Sequence, residues 1–186
     1  ILAAYSGRIM SVSSSYLFGR IEEFGNRPAV SFEGRQYTYT DLGSQIDRFR
    51  DQLREREIQP GEVVCLASDY SFFALSLFFA LVRHGVILVP VTTTVRAEIE
   101  ERIRQSQVER VVQLTGETIQ IRNVLDSPEA KHPLIRQLRD HRAAGLVLFS
   151  SGTTGVPKAM IRDCDVLLKS YEGRTPKVDR IVAFLM

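Results

Sequence analysis

The stretch Ser150-Ser151-Gly152-Thr153-Thr154-Gly155-Val156-Pro157-Lys158 gathers four hydroxyls, two glycines and one lysine into nine consecutive residues. Hydroxyls rotate to donate hydrogen bonds wherever an acceptor oxygen sits, and a lysine ammonium adds a compact positive charge. Gly152 and Gly155 let the backbone take positive φ and come close to a ligand. The chemistry that suits this set is the cradling of a polyphosphate, with successive backbone N–H groups turned into one concavity. An apolar run, Gly145 to Phe149, stands directly before the hydroxyls, as expected of a strand that launches such a loop. The spacing is not that of a Walker A loop. No G-x-x-x-x-G-K-[ST] string occurs in the chain, and Ala159-Met160-Ile161-Arg162 after the lysine does not open an obvious helix. The hydroxyls and Lys158 must then carry more of the binding. The same composition also describes a plain flexible connector after a strand.

The string SSGTTGVPK resembles, in order as well as composition, the phosphate-loop signature of the AMP-forming adenylating enzymes, the superfamily of acyl-CoA synthetases and AMP-dependent ligases. Weaker similarities precede it in the family's order: Asn26-Arg27-Pro28-Ala29-Val30, Tyr37-Thr38-Tyr39-Thr40-Asp41-Leu42, Pro60-Gly61-Glu62-Val63-Val64-Cys65-Leu66, and the unit from Leu81 to Val91 with its Gly85 and Pro90. The resemblance covers roughly residues 15–186, the N-terminal part of such an enzyme only, with residues 1–14 as an N-terminal extension. It implies an α/β fold, a layered parallel or mixed sheet with helices on both faces. It also implies a ligase that joins a small carboxylic acid to the adenylyl group of ATP, with Mg²⁺, and passes the acyl group to a thiol of coenzyme A or carrier-bound pantetheine. In that scheme Ser150, Ser151, Thr153 and Thr154 hydrogen-bond the β- and γ-phosphates, Gly152 and Gly155 permit close backbone approach, and Lys158, the catalytic residue, offsets charge on the departing pyrophosphate. A non-catalytic nucleotide-binding module or degenerate relative is the alternative reading, and an unrelated α/β scaffold or interaction domain is a third.

Two positions depart from the family pattern. Ala159 stands where glycine is common, and Asp163-Cys164 stands where a hydroxyl residue and a histidine are common. The pair either alters ligand contacts at the loop mouth or is a helix N-cap followed by a small buried residue, and the cap is the favoured reading. The family's later segments, including a ribose-binding aspartate and a small C-terminal domain with a catalytic lysine, do not occur in these residues. The chain begins at Ile1 and stops inside an apolar run, Arg180 to Leu185, which reads as a buried strand. The expectation is a domain truncated before the later motifs, with little activity by itself and self-association through an open sheet edge.

Composition sets the remaining bounds. With 44% hydrophobic and 25% charged residues the 186-residue chain reads as one ordinary globular domain, long enough to bury a core. A net charge of +2 and dispersed arginines give no nucleic-acid surface, and Arg48, Arg50, Arg54 and Arg56 read as a solvated helix face. Cys65 and Cys164 form neither a disulfide framework nor a metal pattern, so a reducing, cytoplasmic setting is expected and no metal ligands are assigned. The apolar stretch Phe72 to Val82 is too short to span about 30 Å of hydrocarbon and reads as a buried helix. His84, His132 and His141 have no nucleophile partner in the sequence, and no G-x-S-x-G elbow exists.

The elements that must position the loop emerge from periodicity. Helices are expected at 18–24, from Leu42 to Leu53 with Thr40 as cap, at 72–82 closed by Gly85, at 96–105 and through Leu134 to Leu138. Strands are expected at 29–32 and 36–39 as a hairpin around Glu33-Gly34-Arg35, and at 63–67, 86–89, 110–114, 118–121 and 145–149. Strand, helix and strand from Val63 to Val89 make a βαβ unit, whose default crossover is right-handed.

Overall fold

The run Val63-Val64-Cys65-Leu66-Ala67 carries no polar residue, so it suits a strand covered on both faces, and all five residues are buried. The computed structural model describes residues 12–93, 96–124, 131–150 and 158–174. In it this run is β3 (Val63–Ala67), at the middle of a six-stranded sheet. It is flanked in parallel by β4 (Ile87–Val91) and β5 (Arg110–Thr115), and β4 pairs in parallel with β7 (Gly145–Ser150). Antiparallel strands close the two sides: β6 (Thr118–Asn123) beside β5, and β8 (Lys158–Asp163) beside β7. The order is β6-β5-β3-β4-β7-β8. The expected hairpin forms a separate two-stranded sheet of β1 (Pro28–Phe32) and β2 (Arg35–Thr38). Its turn is tighter than the sequence suggested. Glu33 and Gly34 both take positive φ, 48° and 76°, and Arg35 already pairs with Phe32.

Alternation along the strands sorts the core into two faces. Val64, Leu66, Leu88 and Val112 point into one cluster, which also holds residues of α1 (Val12–Phe24), α2 (Tyr39–Glu55) and α3 (Phe72–His84), among them Phe18, Ile46, Phe49, Leu53, Leu77 and Leu81. Val63, Cys65, Ala67, Val89, Val111 and Val147 point to the other, where α4 (Arg96–Gln105) contributes Ile103 and α5 (Pro133–Asp140) contributes Ile135 and Leu138. A sixth helix, α6 (Cys164–Lys169), comes after β8. The α/β architecture with helices on both faces is the expected one.

Local chemistry explains the helix ends. Helix α2 is capped by Thr38, not by Thr40 as expected from the sequence. The Asp41 N–H donates to Thr38 Oγ1 at 3.1 Å while Asp41 Oδ2 accepts from the Thr38 N–H at 2.8 Å, a reciprocal pair that needs the carboxylate three residues after the cap. Thr40 has no such partner ahead of it and instead donates to Asn26 Oδ1 at 3.2 Å. The backbone and side-chain bonds from Thr38 hold the Asp41 carboxyl below its usual pKa. Helix α3 starts at Ser71, whose Oγ accepts from the Ala74 N–H at 2.9 Å, and stops at Gly85 in the left-handed region, φ 84°. Its last residue, His84, donates from Nε2 to the Ile58 carbonyl at 2.7 Å, so the ring ties α3 to the segment after α2. Helix α5 is longer than expected because Pro133 suits the first turn and His132 Nδ1 accepts from the Leu134 N–H. Gly145 opens β7 under α5. A Cβ there would stand 2.8 Å from Leu138 Cδ1 and 3.1 Å from Ile87 Cγ2, so any larger residue would require these side chains to shift.

At the N-terminal ends of the parallel strands, Glu109 accepts from the Val63 N–H at 2.8 Å and from Arg139 Nη2 at 2.6 Å, with Lys131 Nζ at 3.4 Å. Arg139 also donates to the Gly61 carbonyl at 2.9 Å. Burial works against the Glu109 carboxylate, but the Val63 N–H, Arg139 and Lys131 outweigh it and hold the pKa below the ordinary 4.5. A carboxyl lowered in the folded state adds stability that is present above the unfolded pKa and is lost as pH falls through the folded one. Neighbouring Glu62, raised by burial, works in the opposite sense. Glu109→Gln should therefore lower stability at pH 7, and the gap between parent and variant should shrink as the pH is taken well below 4.5. Denaturant titrations of both chains across that range read the difference, which includes a smaller upward push on Glu62 once the Glu109 charge is gone.

Candidate functional site

In open α/β sheets ligands bind beyond the carboxyl ends of the strands, where neighbouring connections leave toward opposite faces. Here β3 connects to α3 on one face and β4 to α4 on the other, so the ends of β3 and β4 meet that description. The two connections are tied together. The Ser68 N–H donates to the Val91 carbonyl at 3.1 Å, the Thr93 N–H to Asp69 Oδ1 at 2.9 Å, and the Thr93 hydroxyl to Asp69 Oδ2. Asp69 escaped the sequence reading because its partner lies in the next connection; its only signal was an acidic residue just past the end of a buried strand.

The adjacent strand β7 ends at Ser150, where the candidate phosphate loop begins. Register fixes the loop's two ends: Ser150 is the cross-strand partner of Lys158, the last rung of the β7–β8 ladder. Residues directly opposite in an antiparallel pair carry their side chains on one face, so the first hydroxyl and the lysine are brought together at the carboxyl end of the sheet. Ser150 is half-buried and Lys158 exposed. The other expected site residues, Ser151, Gly152, Thr153, Thr154 and Gly155, lie outside the described residues, as does the strand expected over 180–185. Lys158 opens a strand, β8, so the chain leaves the candidate loop into a strand and not into a helix. On the same face as Ser150 and Lys158, the opposed pair Leu148 and Met160 is exposed.

Asp163 is the helix cap that the sequence favoured. Its Oδ1 accepts from the N–H groups of Asp165 at 2.7 Å and Val166 at 3.2 Å, which opens α6, and the Cys164 N–H donates to the Ala144 carbonyl at 2.9 Å. Both cysteines are free and buried, and burial pushes each thiol up to about 12, with the Asp163 and Asp165 charges adding to the effect at Cys164. Neither is an activated nucleophile at neutral pH. His132 and His141 stand at the two ends of α5. Among the described residues, no group of three or more His, Cys, Asp or Glu could hold a metal ion, and no helix is long and apolar enough to cross a membrane.

Comparison with known proteins bears on the family and the fold. The family model for AMP-binding enzymes matches residues 17–185. The D-alanine--D-alanyl carrier protein ligase of Lacticaseibacillus rhamnosus is 30% identical over 161 residues, covering 78% of this chain and 31% of the ligase. Cyclo-acetoacetyl-L-tryptophan synthase of Aspergillus oryzae is 25% identical over 153 residues, covering 75% of this chain and 4% of the synthase. Among solved structures, the N-terminal subdomain of Klebsiella oxytoca NpsA, in complex with 3-hydroxyanthranilyl-AMSN, has a TM-score of 0.61 at 20% identity, covering 81% of this chain and 40% of that one. At that identity the likeness shows the fold. The chain thus spans less than a third of the length of both curated relatives.

Proposed function

Because the chain belongs to the AMP-binding enzyme family, we propose that it forms the phosphate-gripping N-terminal portion, residues 15–186, of an ATP-dependent ligase that activates a small carboxylic acid. The observation that carries this reading is the Ser150–Lys158 pairing, which sets a hydroxyl and an ammonium side by side at the two ends of the candidate loop. In the first step a carboxylate oxygen attacks the α-phosphorus of ATP; the new P–O bond forms the acyl-adenylate, and the bond to the β-phosphate breaks to release pyrophosphate. In the second step a thiol of coenzyme A or carrier-bound pantetheine attacks the acyl carbon and releases AMP.

Such chemistry consists mainly of positioning and charge neutralisation. Ser150, Ser151, Thr153 and Thr154 donate to the β- and γ-phosphates, Gly152 and Gly155 admit the backbone to close range, and Lys158 balances charge that builds on the leaving pyrophosphate. Magnesium belongs to this reading as an ion carried on the triphosphate, which suits its preference for phosphate oxygens and water over a cage of protein ligands. The acceptor thiol comes from outside the chain, consistent with the high thiol pKa of Cys65 and Cys164. A reducing, cytoplasmic setting fits the same two free cysteines.

The test is exchange of labelled pyrophosphate into ATP by the intact protein, with panels of fatty, aryl and amino acids. Exchange that depends on one class of carboxylic acid supports the reading and names the substrate. ATP binding with no exchange for any acid would leave a nucleotide-binding module in place of a ligase.

A further inference from the structure

Arg102 lies on α4, with its guanidinium over the ring of Phe149: Cζ stands 5.1 Å from the ring centroid. The side chain is only 20% exposed. Its Nη2 donates to Glu98 Oε2 at 2.7 Å, one helical turn back, while its Nε is buried with no hydrogen-bond partner among the described residues. Burying a cation and leaving one N–H without an acceptor is unfavourable, and a leucine would fill the same space without that cost. What arginine supplies in exchange is an attraction to the face of an aromatic ring, directional and strengthened by exclusion of water. The ring it holds is the residue immediately before Ser150.

We propose that Arg102 is a positioning residue for the phosphate loop: by stacking on Phe149 it fixes the end of β7 from which the loop departs, and nucleotide affinity depends on that stack. The inference rests on the reading that the loop binds ATP. Phe149 packs with Val147 and Ile161 against the α4 and α5 face, so its ring is held from below by the core and from the side by Arg102. Ser150, next along the strand, carries its side chain to the opposite face, where Lys158 is its partner. A Phe149 free to rock would carry Ser150 with it and loosen the one rung that sets the loop's span. Nothing in Arg102 needs to touch the nucleotide for this to act.

The experiment is calorimetric titration of the intact protein with magnesium-ATP, using Arg102→Leu, Arg102→Lys, Phe149→Leu, Phe149→Tyr, the Arg102→Leu/Phe149→Leu double variant and Lys158→Ala. Melting temperature and amide exchange at Phe149 and Ser150 without nucleotide are measured alongside. Arg102→Leu and Phe149→Leu should each weaken binding about threefold to tenfold. The double variant should be no weaker than either single one, as expected of two groups acting through one contact. Phe149→Tyr, which keeps the ring, should bind like the parent, and Arg102→Lys should fall between parent and leucine. In the nucleotide-free protein the Ser150 amide of Arg102→Leu should exchange faster. Parent-like affinity of Arg102→Leu beside a weakened Lys158→Ala overturns the inference and leaves the function standing; so does a lower melting temperature with affinity unchanged. Should the parent itself fail to bind ATP, the functional reading falls, and unchanged protection at Phe149 and Ser150 in Arg102→Leu or Arg102→Lys then overturns the loop-root role on its own.

Discussion

Lys158→Ala in the intact protein should slow acid-dependent exchange of pyrophosphate into ATP about a hundredfold, the scale seen when one preorganised donor is removed from a charge-stabilising site. The lysine is exposed, at the first position of β8, and makes no ion pair among the described residues that would be lost with it. Its removal should leave the melting temperature within a few degrees of the parent. The loss should fall on the rate of the adenylation step more than on the apparent affinity for the acid, because the ammonium meets charge that develops as pyrophosphate departs. Lys158→Arg keeps the charge with a different reach and a planar head, so partial recovery of rate is expected. Full activity in Lys158→Ala would remove the residue from the mechanism and leave the hydroxyls and backbone to hold the phosphates alone.

The second large effect lies in the core. Phe49 on α2 is fully buried in the cluster that joins α1, α2 and α3 to one face of the sheet. Phe49→Ala should cost about 3–5 kcal/mol, the transfer of a ring out of the core plus the cavity it leaves. Against a total stability of about 5–15 kcal/mol for a domain, that loss populates the unfolded chain noticeably at modest denaturant. The midpoint of a urea titration should drop with little change in slope, and the folded fraction should bind nucleotide as the parent does. A midpoint within error of the parent would mean that α2 packs far more loosely on the sheet than its buried face implies.

These two residues also mark how far the sequence could be read. Core elements were legible because their signals are local and strong: the unbroken apolar run of β3, the apolar surface all round α3, and the glycine that closes α3. The candidate loop could be proposed because its residue types stand in consecutive positions, while the described structure fixes only its two ends, Ser150 and Lys158. Helix α2 shows the limit. Thr38 and Thr40 are both acceptable caps by type, and only the carboxylate of Asp41, three residues after Thr38, decides between them. The strand β8 was missed because Lys158-Ala159-Met160-Ile161 has no clear alternation of its own; pairing with β7 makes it a strand. Arg102 on Phe149 and Asp69 on Thr93 were beyond reach for a related reason. Each pair joins segments separated by whole elements, and neither residue type is unusual where it stands.

The candidate loop is placed differently from loops that open a helix. A phosphate behind a helix N-terminus gains from the aligned peptide dipoles. Here the chain leaves the candidate loop at Lys158 into the antiparallel strand β8 and not into a helix. On the proposed reading, binding draws on the loop's hydroxyls and N–H groups and on the Lys158 ammonium, and salt should weaken it through that charge more than through any extended basic surface.

The most direct measurement is a calorimetric titration of the intact protein with magnesium-ATP. Saturable binding at one site per chain, weakened by Lys158→Ala, is the predicted result. No heat and no saturation with either protein would contradict a nucleotide grip built on the segment between Ser150 and Lys158.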